Sequence, residues 1–123
     1  MDKHTIALIA HDGKKDEMIV FCEQYRSILE RFALIATGTT GGLIRDRVGL
    51  EITPLLSGPV GGDVQIASRV VEGNVAAVIF FVDQLDKHPH DPDIQTLLRL
   101  CNVHNIPLAT NPATARLIIH GDF

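Results

Sequence analysis

The chain has 123 residues, of which 46% are hydrophobic, and a formal net charge of −4 at pH 7. This length predicts one domain around one hydrophobic core, and the negative charge argues against a nucleic-acid binder that depends on phosphate contacts. The longest uninterrupted hydrophobic run, residues 75–82, is far below the ~18 residues that span a bilayer. Residues 5–10 are too short for a secretory signal, so we expect a cytoplasmic protein with no membrane partner.

Short hydrophobic segments rich in β-formers alternate with amphipathic helical patterns along the chain. In chain order the predicted elements are strand 6–10, helix 14–32, strand 33–36, helix 40–48, strand 50–56, helix 63–72, strand 75–82, helix 92–104, strand 106–109 and helix 112–119. The predicted strand 75–82 is hydrophobic on both faces, which indicates an interior parallel strand. Pro54 in the predicted strand 50–56 indicates an edge position for that strand. The pattern predicts an α/β, doubly wound (Rossmann-like), mostly parallel five-stranded sheet with helices on both faces.

Two cysteines, Cys22 and Cys101, each lie on the hydrophobic face of a predicted helix. Such positions favour buried free thiols. Because no disulfide framework is indicated, we expect a reducing compartment.

The segments that follow the five predicted strands are all polar or rich in glycine. They are residues 11–12, 37–41, 57–63, 83–93 and 110–111. Sheets of this class bind ligands at the carboxyl ends of their strands, so these segments should meet in one ligand site.

Two of these segments and one lysine are suited to holding a phosphate. Residues 37–41 (Thr-Gly-Thr-Thr-Gly) place backbone N–H groups and hydroxyls at a predicted helix start, where the dipole favours an anion. Residues 57–62 contain three glycines, which let the backbone approach a ligand closely. Lys15, one helical turn after His11, can supply a full positive charge. The alternatives are a simple turn with an N-cap for the threonine segment and a solvated lysine.

A carboxylate and a histidine stand beside these phosphate-binding candidates. Asp63 directly follows the glycine-rich segment and is either a base next to the ligand or a helix N-terminal acid without chemistry. His11 can hydrogen-bond a substrate oxygen or phosphate. Asp12 beside it can instead cap the first helix.

Residues 88–93 (His-Pro-His-Asp-Pro-Asp) are dense in residues that can bind or transfer protons. Asp91 before Pro92 fits a helix N-cap, and Asp93 can fix the tautomer of a nearby histidine. A His-x-His metal site lacks a third ligand at motif spacing, so we expect no metal. Asn111 is predicted to cap the last helix, with a secondary role at most in lining the site.

Taken together, these segments resemble the methylglyoxal synthase family over nearly the whole chain, in the family's order and spacing. The resemblance implies one methylglyoxal synthase-like domain over residues 1–123. It also implies conversion of dihydroxyacetone phosphate to methylglyoxal and inorganic phosphate, with no metal or organic cofactor. Members form homohexamers and are often inhibited by phosphate, the product.

The same resemblance assigns roles to individual residues. Asp63 accepts and donates the proton, and Asp93 is a supporting acid near His90. On chemical grounds His90, if neutral, can donate to the developing enediolate. The implied substrate-binding residues are His11, Lys15, Thr37, Gly38, Thr39, Thr40, Ser57, Gly58 and His90.

Two other functions remain open from the residues. One is a non-catalytic effector-binding domain, because the family's fold is similar to the regulatory domain of large carbamoyl-phosphate synthetases and to a domain of a purine-pathway cyclohydrolase. The other is a triose phosphate isomerase activity, since proton transfer without phosphate loss would isomerise the same substrate.

Overall fold

A computed structural model describes residues 3–56, 61–85 and 94–121. Its strands are β1 (Thr5–Ala10), β2 (Ala33–Ala36), β3 (Thr53–Pro54), β4 (Ala77–Phe81) and β5 (Leu108–Ala109). They form one sheet of order β3-β2-β1-β4-β5, in which every neighbouring pair is parallel. The predicted five-stranded α/β architecture is therefore confirmed.

Helices connect these strands across both faces of the sheet. They are α1 (Lys15–Gln24), α2 (Arg26–Leu29), α3 (Gly38–Val48), α4 (Gly62–Val71), α5 (Ile94–His104) and α6 (Pro112–Ile119), and a 3-10 turn, Asp12–Lys14, precedes α1. No helix within the described ranges is long and apolar enough to cross a membrane.

The core has two layers because successive side chains of a strand point to opposite faces. Leu8 of β1 belongs to a buried cluster that includes residues of α1, α3 and α6. The next residue, Ile9, belongs to a second cluster with residues of α4 and α5. Leu29 of α2 also belongs to the first cluster, so four of the described helices cover one side of the sheet and two cover the other.

The interior and edge strands lie where the sequence predicts them. All five residues of β4 are buried between β1 and β5. β3 lies at the edge and is shorter than predicted, because only Thr53 and Pro54 pair with β2. Pro54 has no N–H to donate to β2. The last hydrogen bond between these strands is the one that Leu55 N donates to Ala36 O at 2.7 Å.

The predicted helix over residues 14–32 is wrong as one continuous element. Tyr25 leaves helical geometry (φ −112°, ψ 25°), which separates α1 from α2. Its ring packs against Phe21 and His120, with centroid distances of 5.1 and 5.5 Å. Leu29 of α2 is still buried in the same core cluster as α1, so the hydrophobic spacing continues across the break.

The capped start of the last helix and both cysteines match their predictions. Asn111 Oδ1 accepts a hydrogen bond from Thr114 N at 2.9 Å and caps α6. Gly73, just beyond the end of α4, has the left-handed φ of 79° that favours glycine. Cys22 and Cys101 are buried free thiols. Burial, with a smaller effect from Glu23, raises the pKa of Cys22 to about 12, and burial raises the pKa of Cys101, so both thiols stay protonated at neutral pH.

Candidate active site

The residues that follow the strands all lie along the edge of the sheet formed by the carboxyl ends of the strands, because all five strands run in the same direction. The described residues at this edge include His11 after β1, Thr37 after β2, Leu56 after β3, Asp83 after β4 and Thr110 after β5. This edge is the one at which the sequence predicts the ligand site.

Four of the predicted site residues, Ser57, Gly58, His90 and Asp93, lie outside the described residues. Their roles stay predictions. Among residues 3–56, 61–85 and 94–121, no group of three His, Cys, Asp or Glu side chains is arranged to hold a metal ion.

His11 is a buried imidazole with a defined tautomer. It is 5% exposed, and its ring meets Phe80 edge-on at a centroid distance of 5.1 Å. Its Nδ1 accepts a hydrogen bond from Asp83 N at 2.9 Å, so the neutral ring carries its proton on Nε2. The main chain beyond β4 therefore orients His11 as a donor through Nε2.

Asp83 makes a second contact at this edge that sequence reasoning did not single out. Its Oδ1 accepts from Leu85 N at 3.1 Å. Its Oδ2 lies closer than van der Waals contact to the place where a Cβ on Gly13 would be. In the sequence, Gly13 directly after His11-Asp12 could have indicated this close packing, because a residue without a side chain leaves room for the Asp83 carboxylate.

Gly13→Ala is expected to lower the free energy of unfolding by about 1 kcal/mol, because the new methyl group displaces the Asp83 carboxylate and breaks its bond to Leu85. A several-fold loss of kcat/KM should accompany it, since the peptide that holds His11 shifts as well. Gly42→Ala is the matched control, because nothing lies within 4 Å of that position in α3. Alanine is the better helix former, so this control should be at least as stable as the original protein. Chemical denaturation and steady-state kinetics measure both. Equal behaviour of the two variants would contradict the expected crowding.

Lys15 lies at the start of α1 in an ion pair with Asp12. The Lys15 side chain is 17% exposed, whereas that of Asp12 is 76% exposed. The neighbouring Lys14 instead pairs with Glu17 at 3.1 Å, and its side chain is 31% exposed. Asp12 does not occupy the N-cap of α1, which is Lys14. Lys15 is thus a largely enclosed cation close to His11 in the chain.

The threonine segment forms the beginning of α3, two residues earlier than predicted. Thr37 is at the N-cap position without a side-chain cap bond. The N–H of Gly38 donates to Leu56 O at 3.2 Å and that of Gly41 to Thr37 O at 2.8 Å. The first-turn N–H groups not engaged by described residues are therefore those of Thr39 and Thr40.

Thr40 also brings a hydroxyl to this helix start. The residue is 2% exposed, and no described group makes a hydrogen bond with its Oγ1. A Cβ on Gly41 would lie 3.3 to 3.4 Å from Ala36 and Pro54, so glycine lets α3 pack closely on β2 and β3. A buried hydroxyl and two N–H groups at a helix N-terminus can together receive an anion.

Asp63 lies in the first turn of α4 and is partly buried. The helix begins after Gly61, whose φ of 107° lies in the left-handed region. Two residues after Asp63, Gln65 Oε1 accepts a hydrogen bond from Leu56 N at 2.7 Å. Because Leu56 O also accepts from Gly38 N, the starts of α3 and α4 are joined through one residue.

A cavity of appreciable volume lies between two of the helices that cover the sheet. This groove of about 450 Å³ runs between α1 and α6, and Val20, Tyr25, Asp16 and Arg116 are among its lining residues. None of the predicted site residues that the structure describes lines this groove.

Comparisons with known proteins agree with this arrangement. Residues 17–110 match the family model of the MGS-like domain. The chain is 54% identical over 115 residues to a methylglyoxal synthase of Thermus thermophilus, covering 94% of this chain and 91% of that protein. An uncharacterized Synechocystis protein is 55% identical over 114 residues, but the chain spans only 26% of its length. The crystal structure of methylglyoxal synthase from Elizabethkingia anophelis NUHP1 superposes with a TM-score of 0.95 at 43% identity, covering 98% of this chain and 80% of that one.

Proposed function

The chain belongs to the methylglyoxal synthase family, and we propose that it is a carbon–oxygen lyase that converts dihydroxyacetone phosphate to methylglyoxal and inorganic phosphate. The observation that carries this proposal is that Leu56 joins two helix starts: that of α3, whose first-turn N–H groups at Thr39 and Thr40 have no partner among the described residues, and that of α4, which contains Asp63. An anion site beside a carboxylate is what this reaction needs.

Asp63 begins the reaction as a general base. It takes a proton from the hydroxymethyl carbon, and the electron pair moves to the carbonyl oxygen to form an enediolate. The hydroxyl oxygen on the deprotonated carbon then passes its proton to the leaving phosphate and forms a C=O bond. The π electrons shift toward the phosphate-bearing carbon, the carbon–oxygen bond to phosphate breaks, and phosphate leaves with both electrons of that bond. The remaining enol takes up a proton and becomes methylglyoxal. A well-placed base contributes about 10²–10⁴-fold to such a rate.

Phosphate loss, and not isomerisation, requires the breaking carbon–oxygen bond to stand roughly parallel to the π system of the enediolate. Lys15 supplies the positive charge, while the N–H groups of Thr39 and Thr40 and the Thr40 hydroxyl supply neutral donors. With Thr37 and Ser57-Gly58, these groups hold the phosphate in that orientation and stabilise the charge that develops on it.

The histidines contribute as neutral donors. His11 carries its proton on Nε2 because Nδ1 accepts from Asp83 N, so it can donate to a substrate oxygen without a change of charge. We assign to His90 the donor role toward the enediolate oxygen, with Asp93 fixing its tautomer.

His90→Gln is expected to lower kcat about tenfold, while KM changes by less than about threefold. The glutamine amide keeps a donor but places it poorly, and a well-aligned donor of this kind is worth ~10²–10³-fold. Steady-state kinetics separate the two constants. A rise in KM with kcat unchanged would reassign His90 to plain substrate contact.

The assay for the whole proposal is incubation with dihydroxyacetone phosphate, followed by measurement of inorganic phosphate and methylglyoxal. Equal amounts of both are expected. Glyceraldehyde phosphate without phosphate release would identify an isomerase, and no turnover with retained phosphate binding would identify an effector-binding domain.

We further propose that residues 1–123 form one such domain, that copies assemble into a homohexamer, and that the enzyme works in the cytoplasm without a metal or organic cofactor. Its product phosphate should compete with substrate for the Lys15 site. Light scattering of the purified protein and inhibition by inorganic phosphate test the assembly and the competition.

A further inference from the structure

The peptide groups on both sides of Leu56 are each held by a different element. Its N–H donates to Gln65 Oε1 in α4 at 2.7 Å, a short distance for an N–H···O bond. Its carbonyl accepts from Gly38 N at the start of α3 at 3.2 Å. Leu56 itself is 51% exposed, so packing of its side chain does little to keep it in place.

These two hydrogen bonds and the peptide bond from Leu56 to Ser57 connect three parts of the proposed site. The parts are the start of α3, the start of α4 and the predicted phosphate-binding pair Ser57-Gly58. Gly38 is next to Thr39, whose N–H group is not engaged by any residue in the described ranges. Gln65 is two residues after Asp63 and on the same helix. Leu56 is covalently bonded to Ser57, the first of the predicted phosphate-binding pair. The Gln65 side chain is the one link of the three made by a side chain, so substitution can remove it.

We propose that Gln65 is a positioning residue that sets the distance between the phosphate-holding groups and the Asp63 carboxylate. The inference rests on the proposed lyase function. The reaction needs phosphate and base engaged on one substrate at once, and a misplacement of about 1 Å can cost 10²-fold in rate. Phosphate alone does not need Asp63, so its binding depends less on this distance.

Gln65→Met removes the acceptor oxygen while keeping a similar length and volume. We expect kcat to fall at least tenfold. Affinity for 2-phosphoglycolate, which must reach both the phosphate groups and the base, should fall by a similar factor, and affinity for inorganic phosphate should stay within about threefold. The melting temperature should change little. A residue with only a structural role would instead lower the melting temperature and leave kcat per folded molecule unchanged.

Amide hydrogen exchange tests the link without any turnover. The Leu56 N–H should be protected in the original protein and exchange at least tenfold faster in Gln65→Met. Gln65→Glu keeps an acceptor oxygen at the same reach, so it should restore this protection and part of kcat. Gln24→Met makes the same substitution in the last turn of α1 and should leave exchange at Leu56, both affinities and kcat unchanged.

The outcomes separate this inference from the function on which it rests. If the original protein releases no methylglyoxal, the lyase proposal fails, and exchange at Leu56 still decides whether Gln65 holds that residue. If methylglyoxal is formed but Gln65→Met matches the original protein in kcat and 2-phosphoglycolate affinity, the positioning role is overturned. Faster exchange in Gln65→Met together with an equal loss of phosphate and 2-phosphoglycolate affinity would also overturn it.

Discussion

Asp63→Asn is expected to lower kcat by about 10²–10⁴-fold, the range that a positioned general base contributes. Asparagine has nearly the same shape as aspartate but cannot accept the proton from carbon. Asp63 is partly buried in the first turn of α4, so the variant should fold with an intact helix start. The proposed phosphate-holding groups belong to other elements, so inorganic phosphate should bind within about threefold of its original affinity.

Single-turnover kinetics and calorimetric phosphate titration measure these two effects separately. Glu72→Gln makes the same chemical change just beyond the other end of α4 and should leave both unchanged. Loss of solvent exchange of the substrate's carbon-bound proton in Asp63→Asn would place the defect at proton removal. Near-normal turnover would show that another group is the base.

Lys15→Met is expected to lower kcat/KM about 10²-fold, since a hydrogen bond between charged groups is worth ~1.5–3 kcal/mol. The Lys15 ammonium is largely enclosed beside the carboxyl end of β1 and is paired with Asp12. The substitution removes the positive charge that would face the phosphate. Inorganic phosphate should lose affinity by a similar factor, because the defect lies in anion binding.

The neighbouring lysine provides the control for this prediction. Lys14 pairs with Glu17 and is more exposed than Lys15, so Lys14→Met should change kcat/KM by less than about twofold. Equal losses in the two variants would mean that general electrostatic attraction of the substrate, and not a contact with Lys15, explains the effect.

The order of elements follows from the sequence because it depends on hydrophobic periodicity. β4 is hydrophobic on every residue and is an interior strand, and Pro54 lies in an edge strand as predicted. The break at Tyr25 could not be predicted in this way. Residues on both sides of it face one core, and the Tyr25 ring at the break packs on His120, a residue far along the chain.

The sequence was enough to predict which segments of the chain lie at the candidate site, but not which hydrogen bonds connect them. The topology brings His11 and the threonine segment to one edge, as the strand ends predict. The sequence contains no local sign that the Gly38 N–H donates to Leu56, or that Gln65 accepts from the same residue. Both bonds join residues that are distant in the chain, and propensity and spacing describe only near neighbours.

The two outermost strands, β3 and β5, have two residues each in the described sheet. One contains Pro54, and Pro107 immediately precedes the other, so each margin has little free backbone with which to recruit a further strand. Within the described residues, the sheet margins therefore offer little backbone for extending the sheet from one molecule into the next. Pairing of exposed strand edges is a route to fibre-like growth, and short outer strands disfavour it.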